Sequence, residues 1–392
     1  MSHVGDNTIA TTAVDITSAE TETGTSEWTN ASILFEEREK AFGCIRQLVQ
    51  EQSQPKDYRF NDQALENLRA IFDKYLEVPS LLDHHIVDLV TTLTDEACSL
   101  LANRPSDLEC KPGEVVEEEN KDTKNYNPHY DWFWNSPLPR ILSAIYALSK
   151  VRGRKRVQKF LPHQVENLEP VLDCLILLEQ LEHQQVNNSN TIHSEISGRP
   201  QLWESQYTMW NWMEILGKVP FDCEVVIDTE QIQQLFRLAT TTLSVTGPTR
   251  EMAASCLARW LTRPDLEESS FRRDFQQWSI QHLENHTQNT TPTSIFTTMG
   301  ILRTLVTILK ISTARRQTVL TSMDPYWSLL QKISDSTHRS SNVLLRKYLV
   351  KWWTRLGVLH LPPRVASWRY QRGRRSLKEN LQRQLQQNKN NA

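Results

Sequence analysis

Glycine is scarce: eleven in 392 residues. That leaves little material for phosphate-cradling loops, and neither GxxxxGKS/T nor GxGxxG occurs. HExxH and GxSxG are missing too, which removes the commonest zinc-hydrolase and nucleophile-elbow signatures. Cysteine is sparse and scattered, at 44, 98, 110, 174, 223 and 256, with no CxxC pair and no Cys/His cluster at zinc spacing. Such cysteines read as buried, reduced thiols of a cytosolic protein. His84 and His85 are neighbours that point to different faces of a helix, so they read as surface residues and not as a metal pair. No basic-then-apolar leader opens the chain, and no apolar run approaches the ~20 residues a bilayer span needs, so no membrane insertion is expected. Net charge is only −3, which gives the chain as a whole no pull toward nucleic acid. Nothing in the sequence calls for a cofactor or a metal.

What the sequence does contain is helical periodicity. Residues 1–30 are rich in Thr, Ser and Glu and read as a disordered tail. From Ile33 onward apolar residues recur at three- and four-residue steps: Leu34, Ala41, Ile45 and Leu48, then Leu65, Leu68, Ile71, Phe72 and Tyr75. Pro79 and Ser80 look like a helix start. Residues 103–135 form a long connection, acidic first and aromatic later; Tyr126, Tyr130, Trp132, Phe133 and Trp134 either pack over the next helix or face a partner. Helices are expected at 138–148, from 163, at 232–243, 251–261 and 271–283, from Gly300 to 310, and at 326–333 and 343–356. Flexible loops are expected near 104–125 and 181–201. Trp203, Tyr207 and Trp210 form a helical aromatic stripe that reads as core. No alternating strand pattern is present. The chain therefore reads as all-α, a HEAT/armadillo-like solenoid of degenerate helix pairs, with a helical domain at 31–377 and a disordered polar tail at 378–392. Leu168, Leu172, Tyr207, Leu257, Leu305 and Leu349 are its expected core. Trp352 and Trp353 are adjacent, so only one can face the preceding pair; the other leaves an exposed apolar end and favours self-association.

Charge is concentrated locally. Six of the ten residues at 150–159 are Lys or Arg. Gly153 within them suits a helix C-cap, and Pro162 biases Leu161 toward extended backbone. The stretch reads as helix, basic corner, helix. The corner is either a solvated bend or a partner-facing patch. A second basic run spans 364–375.

The order Leu148, Lys150, Val151, Arg152, Gly153, then Phe160, Leu161, Pro162, His163, then Glu169, Pro170, Val171, Leu172 resembles the tubulin-folding cofactor D family. So do Trp203, Glu204, Tyr207, Trp212 and Val219, Pro220, Phe221, Asp222, and so does Arg250, Glu251 with Thr262, Arg263, Pro264, Asp265. Trp368, Arg369, Tyr370, Arg372, Gly373, Arg375, Ser376, Leu377 is the most specific match. The resemblance covers roughly residues 68 to 377. Departures include Arg154, Gln164, Gln206, Trp210 and Asn211, the last two replacing usual leucines.

The resemblance implies a HEAT/armadillo-type chaperone and not an enzyme. It would capture β-tubulin after the cytosolic chaperonin, work with cofactors C and E in assembling or dissociating the α/β heterodimer, bind an Arf-like small GTPase, and contribute to GTPase activation of tubulin. It also implies a cytoplasmic, microtubule-associated location and the N-terminal third of a longer protein. Tubulin is acidic, so Arg152, Arg154, Lys155, Arg156 and Lys159 are the candidate partner-binding residues, with Arg369, Arg372 and Arg374 as a second group. A scaffold for the GTPase without direct tubulin contact, or a transport-type adaptor whose basic runs act as localisation signals, are the alternative readings.

Overall fold

The computed structural model describes residues 35–49, 59–104, 128–187, 200–220, 222–267, 269–288, 291–312, 316–337 and 342–361. Among these residues the secondary structure is helical, with no strand. The two tails, the acidic connection at 105–127, residues 188–199 and the segment carrying Arg369, Arg372 and Arg374 lie outside the described residues. The chain forms two compact units, Met1–Gln231 and Ile232–Ala392.

The first unit contains α1 (Arg38–Val49), α2 (Arg59–Asp73), α3 (Ile86–Ala102), α4 (Pro128–Asn135), α5 (Leu138–Arg152), α6 (Leu168–Asn187) and α7 (Leu202–Leu216). Helix α1 pairs with α2, α3 with α5, and α6 with α7. Helices α2, α5 and α7 stand side by side in one layer; α1, α3 and α6 form the other. This is the stacking expected of a helical repeat, where each pair buries an apolar stripe it cannot bury alone. Helix α5 is the centre, with twelve of its fifteen residues buried. Its sequence explains this: Leu138, Ile141, Leu142, Ile145, Leu148 and Val151 alternate with Ala144, Ala147 and Ser143, so it is apolar or small on nearly every face.

The second unit contains most of α8 (Thr229–Thr242), then α9 (Pro248–Leu261), α10 (Ser270–Gln288), α11 (Pro292–Ile311), α12 (Arg316–Met323), α13 (Trp327–Thr337) and α14 (Val343–His360). Helices α9, α11 and α14 form one layer; α10 packs on α11 and on α13, and α13 on α14. The main neighbour of α9 is therefore α11, not the α8 that precedes it in the chain.

Several helix limits differ from the sequence expectation. Pro79–Leu82 is a 3-10 turn, and α3 begins only at Ile86. Helix α6 runs through the expected loop at 181–201 as far as Asn187, because Leu181 is fully buried and Glu182 accepts a 2.8 Å hydrogen bond from Gln206. Helix α11 starts at Pro292 and not at Gly300, capped by the Thr291 hydroxyl, which accepts from the Ser294 N–H at 3.2 Å. Thr297 and Thr298 look polar in sequence but are buried. With them included, 294–311 is long and apolar enough to cross a membrane by length and composition, contrary to the sequence expectation; 67% of it is buried within the protein, as in a core helix.

The expected core is largely in place: Leu168, Leu172, Leu257, Leu305 and Leu349 are buried. Tyr207 is only partly so. Cys174, Cys223 and Cys256 are buried thiols, whereas Cys44 and Cys98 are partly exposed. Phe133 of α4 is fully buried against the start of α5, so this part of the aromatic connection packs. Buried Arg140 fixes the bend: its Nε is 2.9 Å from Asp62, and it also donates to the Trp134 and Ser136 carbonyls. At α14, Trp352 is fully buried, while Trp353 is partly exposed and stands edge-on, 4.8 Å from the ring of half-exposed Trp327.

Candidate partner-binding surface

Helix α5 ends at Arg152 and the chain reverses through Gly153, whose φ of 93° and ψ of 132° put it in extended backbone of positive φ. Only glycine takes that conformation readily. A Cβ would meet nothing within 4 Å, so the requirement is conformational, not steric. The expected glycine C-cap is thus present, with the positive φ of a left-handed cap but not its ψ. A single turn, Arg154–Val157, follows, then a 3-10 turn to Phe160. Leu161 is extended, as its proline neighbour requires. The next helix does not resume at His163: Val165–Asn167 is 3-10, and α6 begins at Leu168.

The corner's arginines are engaged with the fold. Arg152 grips the Asp83 carboxylate through Nε and Nη2, and Arg156 reaches the same carboxylate at 3.2 Å. The hydrogen bond from Arg152 holds Asp83 below the ordinary aspartate range, opposed by burial and aided by Arg156. Arg154 pairs with Glu214 of α7, and Gln158 donates to that carboxylate and to the Asn211 carbonyl, each at 3.1 Å. Trp212 Nε1–H donates to the Pro162 carbonyl at 2.6 Å, tying the far end of the corner to α7. Lys150 pairs with Asp73 at 3.0 Å. Lys155, Arg156 and Lys159 remain exposed. Of the five candidate residues here, Arg152 and Arg154 therefore position the corner, Arg156 does so while exposed, and Lys155 and Lys159 present charge to solvent.

A second feature lies on the layer formed by α2, α5 and α7. Tyr146 stands edge-on to Trp203, with ring centroids 4.9 Å apart, and edge-on to Tyr207 at 5.0 Å. Trp203 is 38% exposed. Arg69 pairs with Glu204 beside these rings. Burial raises the Tyr207 hydroxyl to about 12, and Tyr146 is raised by burial and then by Glu204. Both phenols are therefore neutral donors at physiological pH. The helical stripe of Trp203, Tyr207 and Trp210 was read as core; only Trp210 is buried, and the outer two form a ridge with Tyr146. Periodicity identified the stripe but not which end of it the next helix covers.

These features have counterparts among known proteins. A family model described as tubulin-specific chaperone D-like, ARM repeat matches residues 72–283, and a second one for ARM repeats of the same family matches 344–392. The chain is similar to the tubulin-specific chaperone D of Dictyostelium discoideum, 23% identical over 374 residues that cover 77% of this chain and 24% of that protein. It is similar also to the tubulin-folding cofactor D of Schizosaccharomyces pombe, 24% identical over 232 residues, covering 59% of this chain and 18% of that one. The chain thus spans about a quarter or less of the curated relatives it matches.

Proposed function

Since the chain belongs to the tubulin-specific chaperone D-like ARM-repeat family, we propose that it is a tubulin cofactor that binds β-tubulin and takes part in assembling or dissociating the α/β heterodimer. The observation that carries this reading is the family match over the helix pairs that build the basic corner. The protein acts by binding rather than by bond chemistry. Its contribution to GTP hydrolysis by tubulin would be made together with cofactors C and E, and an Arf-like small GTPase would be a further partner. Its place of action is the cytoplasm, at the microtubule cytoskeleton.

Physically, a stack of helix pairs offers a long, pre-formed surface, so little ordering entropy opposes binding. The exposed cations Lys155, Arg156 and Lys159 would steer an acidic partner, while the partly exposed pairs of Arg152 and Arg154 keep the corner rigid. The Tyr146–Trp203–Tyr207 ridge offers amphipathic aromatic area of the kind enriched at interfaces.

The test is co-sedimentation of the purified chain with tubulin and, separately, with an Arf-like GTPase. Tubulin binding that Lys155→Glu with Lys159→Glu slows, without a change in melting temperature, supports the reading. Binding to the GTPase alone would favour a scaffold without direct tubulin contact.

A further inference from the structure

We propose that α9, α11 and α14 carry a second cationic site, assembled in space, that binds an extended acidic segment of a partner polypeptide. Lys347, Lys351 and Arg355 recur at every fourth residue of α14, so they form a stripe with steps of about 6 Å. Arg303 of α11 and Arg250 of α9 extend the group across the layer. Arg303 Nε lies 2.9 Å from one oxygen of Glu251, and Arg250 Nη2 lies 3.9 Å from the other. The same carboxylate accepts the Tyr348 hydroxyl. Helices α11 and α14 contain no Asp or Glu at all. Within α9, α11 and α14, Glu251 is therefore the one carboxylate set against these five cations.

The site is also built rather than merely solvated. Arg250 is 5% exposed, its Nε has no hydrogen-bond acceptor, and its guanidinium lies 5.9 Å from the Phe296 ring centroid. A buried guanidinium with one long ion pair is under-neutralised, so it adds to the positive field at the surface above it. Arg355 is anchored by donating to the Val306 carbonyl, which aligns the stripe with α11. Lys351 reports the crowding: burial holds it below the ordinary lysine range, and Lys347, Arg303 and Arg355 push the same way against Glu251.

The spacing suggests the ligand. Side chains on one side of an extended chain recur about every 6.7 Å, close to the step of the α14 stripe. Glu or Asp at alternate positions of such a chain would meet successive cations, and Arg303 could add paired hydrogen bonds to a carboxylate. A compact anion such as phosphate would use only one or two of these groups. The proposal does not depend on the partner being tubulin.

The experiment is fluorescence anisotropy with the full chain and a labelled peptide alternating Glu and Ser, about ten residues long so that it spans the stripe. The wild-type chain should bind it with an affinity that falls as salt rises. Lys347→Glu with Lys351→Glu should weaken binding about tenfold or more, and Lys347→Ala with Lys351→Ala by less, with the helical spectrum and melting point of the alanine variant unchanged. Lys40→Glu with Arg46→Glu, two exposed cations of α1 outside both surfaces, should leave it as it was. If the charge-reversed variant does not fold, the alanine variant decides. Unchanged affinity in the alanine variant overturns the proposal, as does an equal loss in the α1 variant. Competition by inorganic phosphate at concentrations matched in charge would show an anion site of a different kind. Binding only after deletion of residues 114–122 would make the chain's own acidic run the occupant. Either result also overturns it.

Discussion

Gly300 of α11 meets Leu243, just past the end of α8, with no room between them: a Cβ on the glycine would stand 2.8 Å from both the Cβ and the carbonyl oxygen of Leu243. Both atoms belong to a rigid part of the neighbour, so no side-chain rotation clears the space. Gly300→Ala should gain about 1 kcal/mol of helix propensity. Overpacking of a tight contact costs about 1–3 kcal/mol. The expected outcome is net destabilisation, read as a lower denaturation midpoint. A raised midpoint would mean that α11 can slide away from Leu243.

Asn211 offers the opposite case. It is fully buried in α7, and neither side-chain polar atom has a hydrogen-bond partner. Its backbone carbonyl still serves Gln158, so the side chain can change without loosening the corner. Asn211→Leu has similar branching and removes the desolvation penalty. Stability should rise by about 1–2 kcal/mol. Urea unfolding measures this, and a drop would show that the site cannot accept the extra apolar volume.

These two residues also mark what the sequence disclosed. The apolar steps through Leu65, Leu68 and Phe72, or through Leu305 and Leu309, made the helices readable, because burial against a neighbour requires that period. Helix ends were hidden where polar residues face inward, as at Thr297, Thr298 and Glu182. The corner itself was legible from Gly153 and Pro162. The pairing of its arginines was not, because Asp83 and Glu214 lie 69 and 60 residues away in the chain. The cations at 250, 303, 347, 351 and 355 are never dense enough to stand out as a run; only the packing of three helices gathers them. The one available signal was the lack of any carboxylate in α11 and α14.

Asp83 is the common partner of Arg152 and Arg156. Asp83→Asn should leave two guanidiniums competing for one neutral acceptor and loosen the corner from the turn at Pro79–Leu82. The pair is partly exposed, which places the cost between that of a surface and a buried ion pair, about 1–2 kcal/mol. The variant also makes the corner one charge more positive, so it should associate faster with an acidic partner at low salt. Slower association would mean that the corner's shape, and not its charge, governs encounter.

His286 in the last turn of α10 gives a pH dependence whose sign is fixed. It is 6% exposed, and its Nδ1 lies 2.7 Å from the Ser294 hydroxyl at the start of α11. Burial lowers its pKa below the ordinary histidine value. The unfolded chain therefore takes up this proton at a higher pH than the folded chain does. The stability that His286 contributes is fully present above the unfolded pKa, near 6.5. It falls as pH drops from there toward the lower folded value, where the two states bind the proton equally again. His286→Gln cannot titrate but can still hydrogen-bond Ser294. Thermal melts at pH about 7.5 and about 5.5, bracketing the ordinary histidine range, should show a smaller loss of stability on acidification for the variant than for the wild type. Equal losses would mean that other groups carry the acid sensitivity, and that the charged imidazole is accommodated by the negative end of the α10 dipole.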